Sequence, residues 1–198
     1  EHRTAAIVAE RLRALGLEGH EGLAGTGVGG TLRAPGGNRA VGLRADMDAL
    51  AMPEAVGPEL RPWASTVPGK MHACGHDGHT VMLLGAAERL AADPPPGTVH
   101  FIFQPAEEGG GGGKMMIEDG LFERFPMDAV YGLHNWPGAP VGSFAVRPGP
   151  MMAAFDIFEA KVKGKGSHAA MPHQGVDPVV TAAQVVGAWQ TITSRNTN

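Results

Sequence analysis

The feature that most constrains the fold is the apolar run at residues 98–103, Thr-Val-His-Phe-Ile-Phe, which is closely followed by two adjacent glutamates. A short run of β-prone, apolar residues is typical of a central strand in a parallel sheet. Such a strand delivers Glu107 and Glu108 at its carboxyl end, the edge where open α/β sheets place their sites. One glutamate can hold a metal ion while its neighbour takes a proton; an ordinary acidic loop is the other interpretation.

Two more apolar runs, residues 40–45 and 128–133, are candidates for buried strands, and polar side chains follow both. Asp46 and Asp48 follow the first run, where solvated loop acids are an equal alternative, and His134 follows the second. Segments with helical spacing separate the runs, and this alternation predicts an α/β fold with a mixed, mostly parallel sheet and flanking helices. The predicted helices are residues 4–15, Asp77 or Thr80 to Leu90, and 115–123, and a further predicted strand is residues 141–146.

Residues 70–79 concentrate metal-binding chemistry, since they hold three of the nine histidines and the only cysteine. On extended chain, Cys74 and His76 face the same way, because side chains two positions apart lie on one side. The intervening Gly75 permits the tight backbone that this requires. A thiolate and an imidazole together suit zinc or a later first-row metal, whereas a buried cysteine beside scattered surface histidines is the plain alternative.

The sequence changes character after Pro150, where charged residues enter the next predicted strand, residues 155–162. A glycine-rich loop with His168 follows, and Asp177 then caps a helix predicted to run to about residue 192. A helix almost at the first residue, together with an unfinished second domain, predicts that this is a piece of a longer chain. The predicted domains are residues 1–150 and 151–198.

Composition and charge exclude several classes of function. A net charge of -4 leaves no basic surface for nucleic acid, and a single cysteine excludes an intrachain disulfide. We find no signal peptide and no apolar run long enough to span a membrane, so we expect a cytoplasmic protein. Residues 25–30 match the G-x-G-x-x-G pattern of dinucleotide sites, but they follow a helix and do not open one, which argues against a nucleotide.

Five segments, taken together and in order, resemble one known family. They are residues 42–49 (GLRADMDA), 71–79 (MHACGHDGH), 104–108 (QPAEE), 132–134 (GLH) and 166–172 (GSHAAMP). The pattern is similar to that of the amidohydrolase branch of the M20 metallopeptidases, which includes hippurate hydrolases, N-acetylamino-acid deacetylases and auxin-conjugate hydrolases. The resemblance covers nearly the whole chain, and the joint pattern is highly specific.

The resemblance implies a zinc-exopeptidase-like catalytic domain and the start of an inserted α+β lid domain that also forms a dimer. In the family, the counterpart of Glu107 is the general base. A pair of divalent metal ions (zinc, manganese, nickel or cobalt) is bound by the counterparts of Cys74, His76, Glu108 and His134. A further histidine ligand of the family lies downstream of the last residue here, and the glycine run after Glu108 is longer than expected.

The function that the resemblance implies is hydrolysis of the amide bond of N-acyl amino acids by a metal-activated water. In dimeric relatives, the counterpart of His168 donates to the oxyanion at the partner subunit's metal site, so we expect a homodimer that forms through the lid domain. Two alternatives stay open. One is a hydrolase with Cys74 as its nucleophile, which would not need Glu108, and the other is a non-catalytic relative that acts as a binding or assembly protein.

Overall fold

The computed structural model describes residues 1–55, 57, 59, 61–154 and 156–192 of the chain. The chain divides into two compact units, Glu1–Pro140 and Val141–Asn198. The domain bounds of 1–150 and 151–198 remain a prediction. No helix among the described residues is both long and apolar enough to cross a lipid bilayer.

The first unit is a five-stranded sheet with helices on both faces. Its strands are β1 (Glu18–Leu23), β2 (Gly27–Ala34), β3 (Ala40–Asp46), β4 (Gly97–Gln104) and β5 (Ala129–Gly132). Its helices are α1 (His2–Ala14), α2 (His76–Ala92), α3 (Gly112–Glu118) and α4 (Leu121–Arg124). The three apolar runs of the sequence therefore form β3, β4 and β5, as predicted. β5 was expected to be buried, but three of its four residues are exposed, because it is an edge strand of the sheet.

The sheet has the strand order β1-β2-β4-β3-β5. β3 lies parallel to both β4 and β5, whereas β2 is antiparallel to β1 and to β4. The predicted mixed α/β sheet with flanking helices is confirmed, but two of the four pairings described are antiparallel, so the sheet is less parallel than predicted. The pairing of β1 with β2 is antiparallel because the short connection of this hairpin permits no other arrangement, and the second antiparallel pairing is that of β2 with β4. Residues 25–30 lie in this hairpin, which is not the context of a dinucleotide site.

The alternation of side chains along β4 divides the core into two layers. Phe101 and Phe103 are fully buried on the face that α1 and α2 cover, where Leu12 packs against them. Ile102 lies on the opposite face and packs with Met116 of α3. Each large apolar side chain removed from water contributes about 1.5–3 kcal/mol, so both layers hold the central strands firmly in place.

Two glycines change the helices from the predicted pattern. α2 begins directly after Gly75, which takes the N-cap position with a φ of 90°, so neither Asp77 nor Thr80 is the cap. The single helix predicted over residues 115–123 is wrong, because Gly120, with a φ of 86°, separates α3 from α4. Glycine adopts such left-handed conformations at little cost, and the chain turns at both places.

The second unit contains α5 (Pro178–Trp189), whose predicted cap is confirmed. The carboxylate of Asp177 accepts the backbone N–H of Val179 at 2.8 Å, which satisfies one of the free donors at the helix start. The helix ends at Trp189, a little before the predicted end at residue 192.

The strands predicted over residues 141–146 and 155–162 are not formed. Residues 141–154 and 156–162 contain no strand, and Phe155 lies outside the described residues. A strand is defined by its hydrogen-bonded neighbour, and the described part of this unit has only an isolated bridge between Lys165 and Val176. An apolar, β-prone pattern is therefore not sufficient to form a strand, because the strand also needs a neighbour to pair with.

Candidate active site

The carboxyl ends of three strands meet at one edge of the sheet, because β3 is parallel to both β4 and β5. Asp46 lies opposite Gln104 in the register of β3 and β4, so the segments after these strands leave the sheet side by side. His134 follows β5 at the same edge. α2 begins at this edge with His76, whose Nε2 lies 3.7 Å from Oδ2 of Asp46. The topology thus brings together side chains from four separate motifs.

The predicted ligands and the predicted base form one cluster in the first unit. Sγ of Cys74 lies 3.4 Å from Nε2 of His134. Nε2 of His76 lies 3.8 Å from Oε1 of Glu108 and 3.9 Å from Oε2 of Glu107. His76 belongs to three sets of potential ligand atoms, one with Cys74 and His134, one with the two glutamates and one with Asp46 and His79. The atoms of each set lie within 4.8 Å of one another. The individual roles of these residues as ligands and base remain predictions.

Asp48 holds two members of this cluster with one carboxylate. Its Oδ1 lies 3.2 Å from Nδ1 of His76, and its Oδ2 accepts the backbone N–H of Glu108 at 2.8 Å. An ionised carboxylate can only accept, so Nδ1 of His76 carries the hydrogen. In the neutral ring, Nε2 of His76 then presents its lone pair to the cluster, which is the arrangement found in metal-ligating histidines.

Two buried atoms of the cluster have no hydrogen-bond partner within the described ranges, namely Nε2 of His76 and Oε1 of Glu108. Buried polar atoms are nearly always paired, and leaving one unpaired costs about 1–3 kcal/mol. The two atoms are 3.8 Å apart, which is less than twice the metal–ligand distance of about 2.0–2.2 Å, so one cation can contact both. The unpaired nitrogen and oxygen therefore fit a divalent metal ion.

The other side of the cluster has a matching donor set. Nδ1 of His134 donates to the carbonyl oxygen of Asn135 at 2.7 Å, so its Nε2 is free of hydrogen and faces Sγ of Cys74. Imidazole, thiolate and carboxylate together are the ligands that zinc and the later first-row metals take in proteins. This side of the cluster fits a metal ion for the same chemical reason.

Residues 42–196 match the family model described as peptidase family M20/M25/M40. The chain belongs to peptidase family M20. It is 45% identical over 193 residues to the hippurate hydrolase of Campylobacter jejuni, covering 98% of this chain and 50% of that protein. It is 44% identical over 200 residues to the N-acetyl-L-cysteine deacetylase of Bacillus subtilis, covering 100% of this chain and 47% of that protein.

A solved structure agrees with this assignment to the M20 family. The crystal structure of a Bacillus subtilis protein, described as a dinuclear metal binding peptidase from the M20 family, matches with a TM-score of 0.72 and 32% identity. The match covers 96% of this chain and 50% of that one. The chain therefore spans about half the length of the M20 relatives that it matches.

Two residues of this M20 cluster carried little signal in the sequence. His79 lies three positions after His76, so the two rings share one face of α2, and this becomes visible only once α2 is known to begin at His76. Asn135 has no signal beyond its position next to His134. Asp48 was indicated as a carboxylate beyond a strand end, but its two partners were not predicted.

The charges around the cluster shift two pKa values in opposite directions. Burial first, and then the hydrogen bond and charge of Glu108 and the charges of Glu107 and Asp46, together raise the pKa of the Cys74 thiol to about 11. Burial by itself would also raise the pKa of Asp46. The hydrogen bond from His79 and the charge of Arg44 outweigh burial there, so the pKa of Asp46 lies below its ordinary value of 3.8. Asp46 is therefore ionised wherever the protein is folded near neutral pH.

The turn that carries the two glutamates is closely packed. Ala106 adopts a φ of 51°, a left-handed conformation that is uncommon for a residue with a side chain and often lies next to functional sites. The backbone N–H of Gly112 donates to the carbonyl of Ala106 at 3.0 Å, and a Cβ at Gly112 would overlap the carbonyl of Pro105. At least one glycine of the long run is therefore required for the chain to close behind Glu108.

His168 lies in the second unit, in the loop before α5. It is exposed, and its Nδ1 accepts the backbone N–H of Ala170 at 3.1 Å. This local hydrogen bond fixes the ring within its own loop. The role predicted for His168 at a partner's metal site stays a prediction.

Proposed function

We propose that the protein is a metal-dependent hydrolase that cleaves the amide bond of N-acyl amino acids. The observation that carries the proposal is the pair of unpaired buried atoms, Nε2 of His76 and Oε1 of Glu108, beside the thiol and imidazole of Cys74 and His134. The names of the relatives in Campylobacter jejuni and Bacillus subtilis, a hippurate hydrolase and a deacetylase of N-acetyl-L-cysteine, supply the substrate class. Because the chain spans half of these relatives, the proposal concerns the longer protein.

The proposed cofactor is a pair of divalent metal ions held by Cys74, His76, Glu108 and His134. The relative in Bacillus subtilis whose structure is described as dinuclear supports the number of ions. Thiolate and imidazole favour zinc, cobalt or nickel, and carboxylates also admit manganese, so the ligand set by itself leaves the element open. When bound, the ions acidify a water and polarise the substrate carbonyl.

The two adjacent glutamates have environments that suit different roles. The Glu108 side chain is 25% exposed, its backbone N–H is fixed by Asp48, and its Oε1 is among the unpaired buried atoms. The Glu107 side chain is 43% exposed and reaches within 3.9 Å of Nε2 of His76. Glu107 therefore remains accessible to substrate and water, takes a proton from the attacking water, and returns it to the leaving amine. Glu108 stays in place as a ligand.

The alternative in which Cys74 acts as the nucleophile has one geometric argument in its favour, the 3.4 Å contact with His134. Its electrostatics oppose it, because burial and the surrounding carboxylates raise the pKa of this thiol to about 11. Nucleophilic cysteines have a lowered pKa, in electropositive surroundings. The same carboxylates are what a bound cation requires, so the cluster favours the metal. No observation in the described residues favours a non-catalytic assembly protein.

The test uses the full-length protein, stripped by chelation and reloaded with zinc, manganese, nickel or cobalt, and assayed on N-acetyl and N-benzoyl amino acids. Hydrolysis should disappear with the metal and return on reloading. Glu107→Gln should keep its metal and lose about 10²–10⁴-fold in kcat, because the amide keeps the shape but takes no proton. The matched control is Glu118→Gln, an exposed glutamate of α3 paired with Lys114, which should retain full activity.

Three outcomes would contradict parts of the proposal. Activity that survives chelation would exclude a metal-dependent reaction. Full activity in Glu108→Ala, with loss in Cys74→Ala, would favour the cysteine mechanism. Loss of metal from Glu107→Gln equal to that in Glu108→Ala would make Glu107 a ligand and leave the base unidentified.

We further propose a cytoplasmic homodimer that forms through residues 151–198, in which His168 donates to the oxyanion of the other subunit's site. Loss of one such donor typically costs about 10²–10³-fold in rate, so His168→Ala should bind metal normally and hydrolyse poorly. Co-expression of His168→Ala with Glu107→Gln should recover part of the activity, since a mixed dimer has one intact site. Verified mixed dimers without recovery would show that His168 does not act across subunits.

A further inference from the structure

His79 is a buried histidine that the mechanism above does not use. It is 2% exposed and lies on the same face of α2 as His76, with ring centroids 5.5 Å apart. Its ring is also 4.6 Å from that of His134, in an edge-on arrangement. The rings of His76 and His134 are 5.8 Å apart, so His79 lies beside both histidines proposed as ligands.

Both ring nitrogens of His79 have partners. Nδ1 lies 2.7 Å from Oδ1 of Asp46, and Nε2 accepts the backbone N–H of Asn135 at 3.0 Å. A carboxylate only accepts and a backbone N–H only donates, so the ring hydrogen is on Nδ1 and the Nε2 lone pair is occupied. His79 differs in this respect from His76, whose Nε2 has no partner among the described residues. It therefore offers no lone pair to a metal.

Asp46 is the fixed end of this chain of hydrogen bonds. It is 0% exposed, and its second oxygen, Oδ2, is 2.7 Å from Nη1 of Arg44. Arg44 is in turn held by Gln104, with Nε donating to Oε1 at 2.9 Å. The hydroxyl of Thr80 donates to the Asp46 carbonyl at 3.0 Å. The ends of β3 and β4 and the first turn of α2 are thereby joined into one rigid support.

Asn135 is the other end of this chain of hydrogen bonds, and its backbone contacts the ring of His134. Its backbone N–H donates to His79, while its carbonyl accepts the Nδ1–H of His134 at 2.7 Å. Oδ1 of the Asn135 side chain lies 2.8 Å from the same Nε2 of His79. Because Nε2 already accepts the backbone N–H, this contact requires the amide to turn so that Nδ2–H donates to the ring in place of Oδ1. β5 itself offers little packing to fix this segment, since Tyr131 is 62% and Leu133 46% exposed. Hydrogen bonds, more than packing, therefore determine where His134 points.

We propose that His79 is a positioning residue, which holds the Asn135 peptide so that Nε2 of His134 stays opposite Cys74, with Asp46 selecting the ring tautomer that can do so. This inference rests on the proposed metal site, because it explains how one of its ligands is oriented. Partners of metal ligands are typically worth about 10–100-fold in metal affinity. Such partners usually contact the metal ligand directly, whereas His79 acts on His134 through the backbone of Asn135.

The first arm of the test uses the metal-free full-length protein and does not depend on activity. Labelling only asparagine with ¹⁵N reduces the number of signals, and the 198 residues of this chain contribute asparagine only at positions 38, 135, 196 and 198. Asn135→Gln assigns the signal of Asn135 by its disappearance. Exchange of the Asn135 amide proton should be slow in the wild type and about fivefold or more faster in His79→Leu, the equivalent of one ordinary hydrogen bond. His79→Gln, whose side-chain oxygen can accept that N–H, should restore most of the protection. Unchanged exchange in His79→Leu would overturn the proposal.

The second arm is a double-mutant cycle on Co²⁺ affinity, measured by chelator competition and by the visible spectrum of bound cobalt. His79→Leu should weaken binding about 10–100-fold in the wild-type background. In the His134→Ala background it should cost less than about twofold, because two changes that act through one ligand are not additive. Equal losses in both backgrounds would mean that His79 supports the fold in general, which would overturn the proposal.

A matched control separates positioning from stability. His100→Leu also replaces a buried histidine, 3% exposed on β4, whose Nδ1 accepts from the hydroxyl of Thr31 at 2.9 Å. It should lower the free energy of unfolding without changing Co²⁺ affinity or Asn135 exchange. A wild-type protein that binds no metal would refute the proposed function, whereas the Asn135 exchange arm would still decide the role of His79.

Discussion

Replacing Asp48 with alanine removes a single carboxylate that satisfies two donors. The Nδ1–H of His76 and the backbone N–H of Glu108 would both lose their acceptor. The setting is buried, since Asp48 is 6% and His76 0% exposed. Each orphaned buried donor costs about 1–3 kcal/mol, so the metal-free protein should lose about 2–6 kcal/mol of unfolding free energy. Asp48→Asn keeps one acceptor oxygen, and it should lose about half as much.

The same change should weaken metal binding by a separate route. Asp48 determines that Nδ1 of His76 carries the hydrogen and that Nε2 faces the cluster. Without this partner the ring can rotate or change tautomer, and such losses typically cost about 10–100-fold in metal affinity. The dissociation constant for Co²⁺ should therefore rise by that factor in Asp48→Ala.

The assay combines urea unfolding after chelation with Co²⁺ titration against a competing chelator. The matched control is Asp128→Ala, because Asp128 also accepts a backbone N–H, that of Ala40 at 2.8 Å, but its side chain is 47% exposed. Water can replace that acceptor, so the control should lose less than about 1 kcal/mol and bind metal normally. The reasoning is refuted if Asp48→Ala loses no more stability or metal affinity than Asp128→Ala.

Two further predictions follow from the backbone and from the second buried histidine. Gly75→Ala should lower the free energy of unfolding by about 1–2 kcal/mol, because φ is 90° there and the new Cβ would overlap the Asn135 amide. Chelator competition should also show weaker metal binding. Unchanged stability and metal affinity would contradict this prediction. Burial first, and then the charge of Arg33, lower the pKa of His100 below its ordinary value of 6.5. As pH falls below 6.5, the unfolded chain binds more protons than the folded one, so stability is lost progressively until pH passes the lower pKa of the folded state. Urea unfolding at pH 8 and pH 5 should show a smaller difference in His100→Gln than in the wild type, and equal differences would exclude this source of acid sensitivity.

The chemical composition of the site could be predicted from neighbouring residues. The run at residues 98–103 lies within β4, and the adjacent glutamates beyond it reach the cluster. Cys74 and His76 were indicated because thiolate and imidazole two positions apart suit a metal. These properties depend on residue type and on a period of two along the chain, which are local quantities.

The partners that orient these side chains could not be predicted in the same way. Asp48 contacts the Glu108 backbone across 60 positions of sequence, and His79 contacts Asn135 across 56. An acid or an amide beyond a strand end has many potential partners, and its residue type does not select among them. The partners are selected only when β3, α2 and the end of β5 come together at one edge of the sheet.

The presence and direction of some strands also depended on the tertiary structure. The pattern at residues 141–146 favoured a strand, but strand formation requires a ladder of hydrogen bonds with a neighbouring strand, and these residues form no strand in the described part of the second unit. The antiparallel half of the sheet depended likewise on β2 pairing with β4 rather than with β3. By itself, the sequence determined which side chains can bind a cation and which runs can be strands. The tertiary structure decided which lone pairs face the cluster, because hydrogen-bond partners are chosen by distance in space and not by distance along the chain.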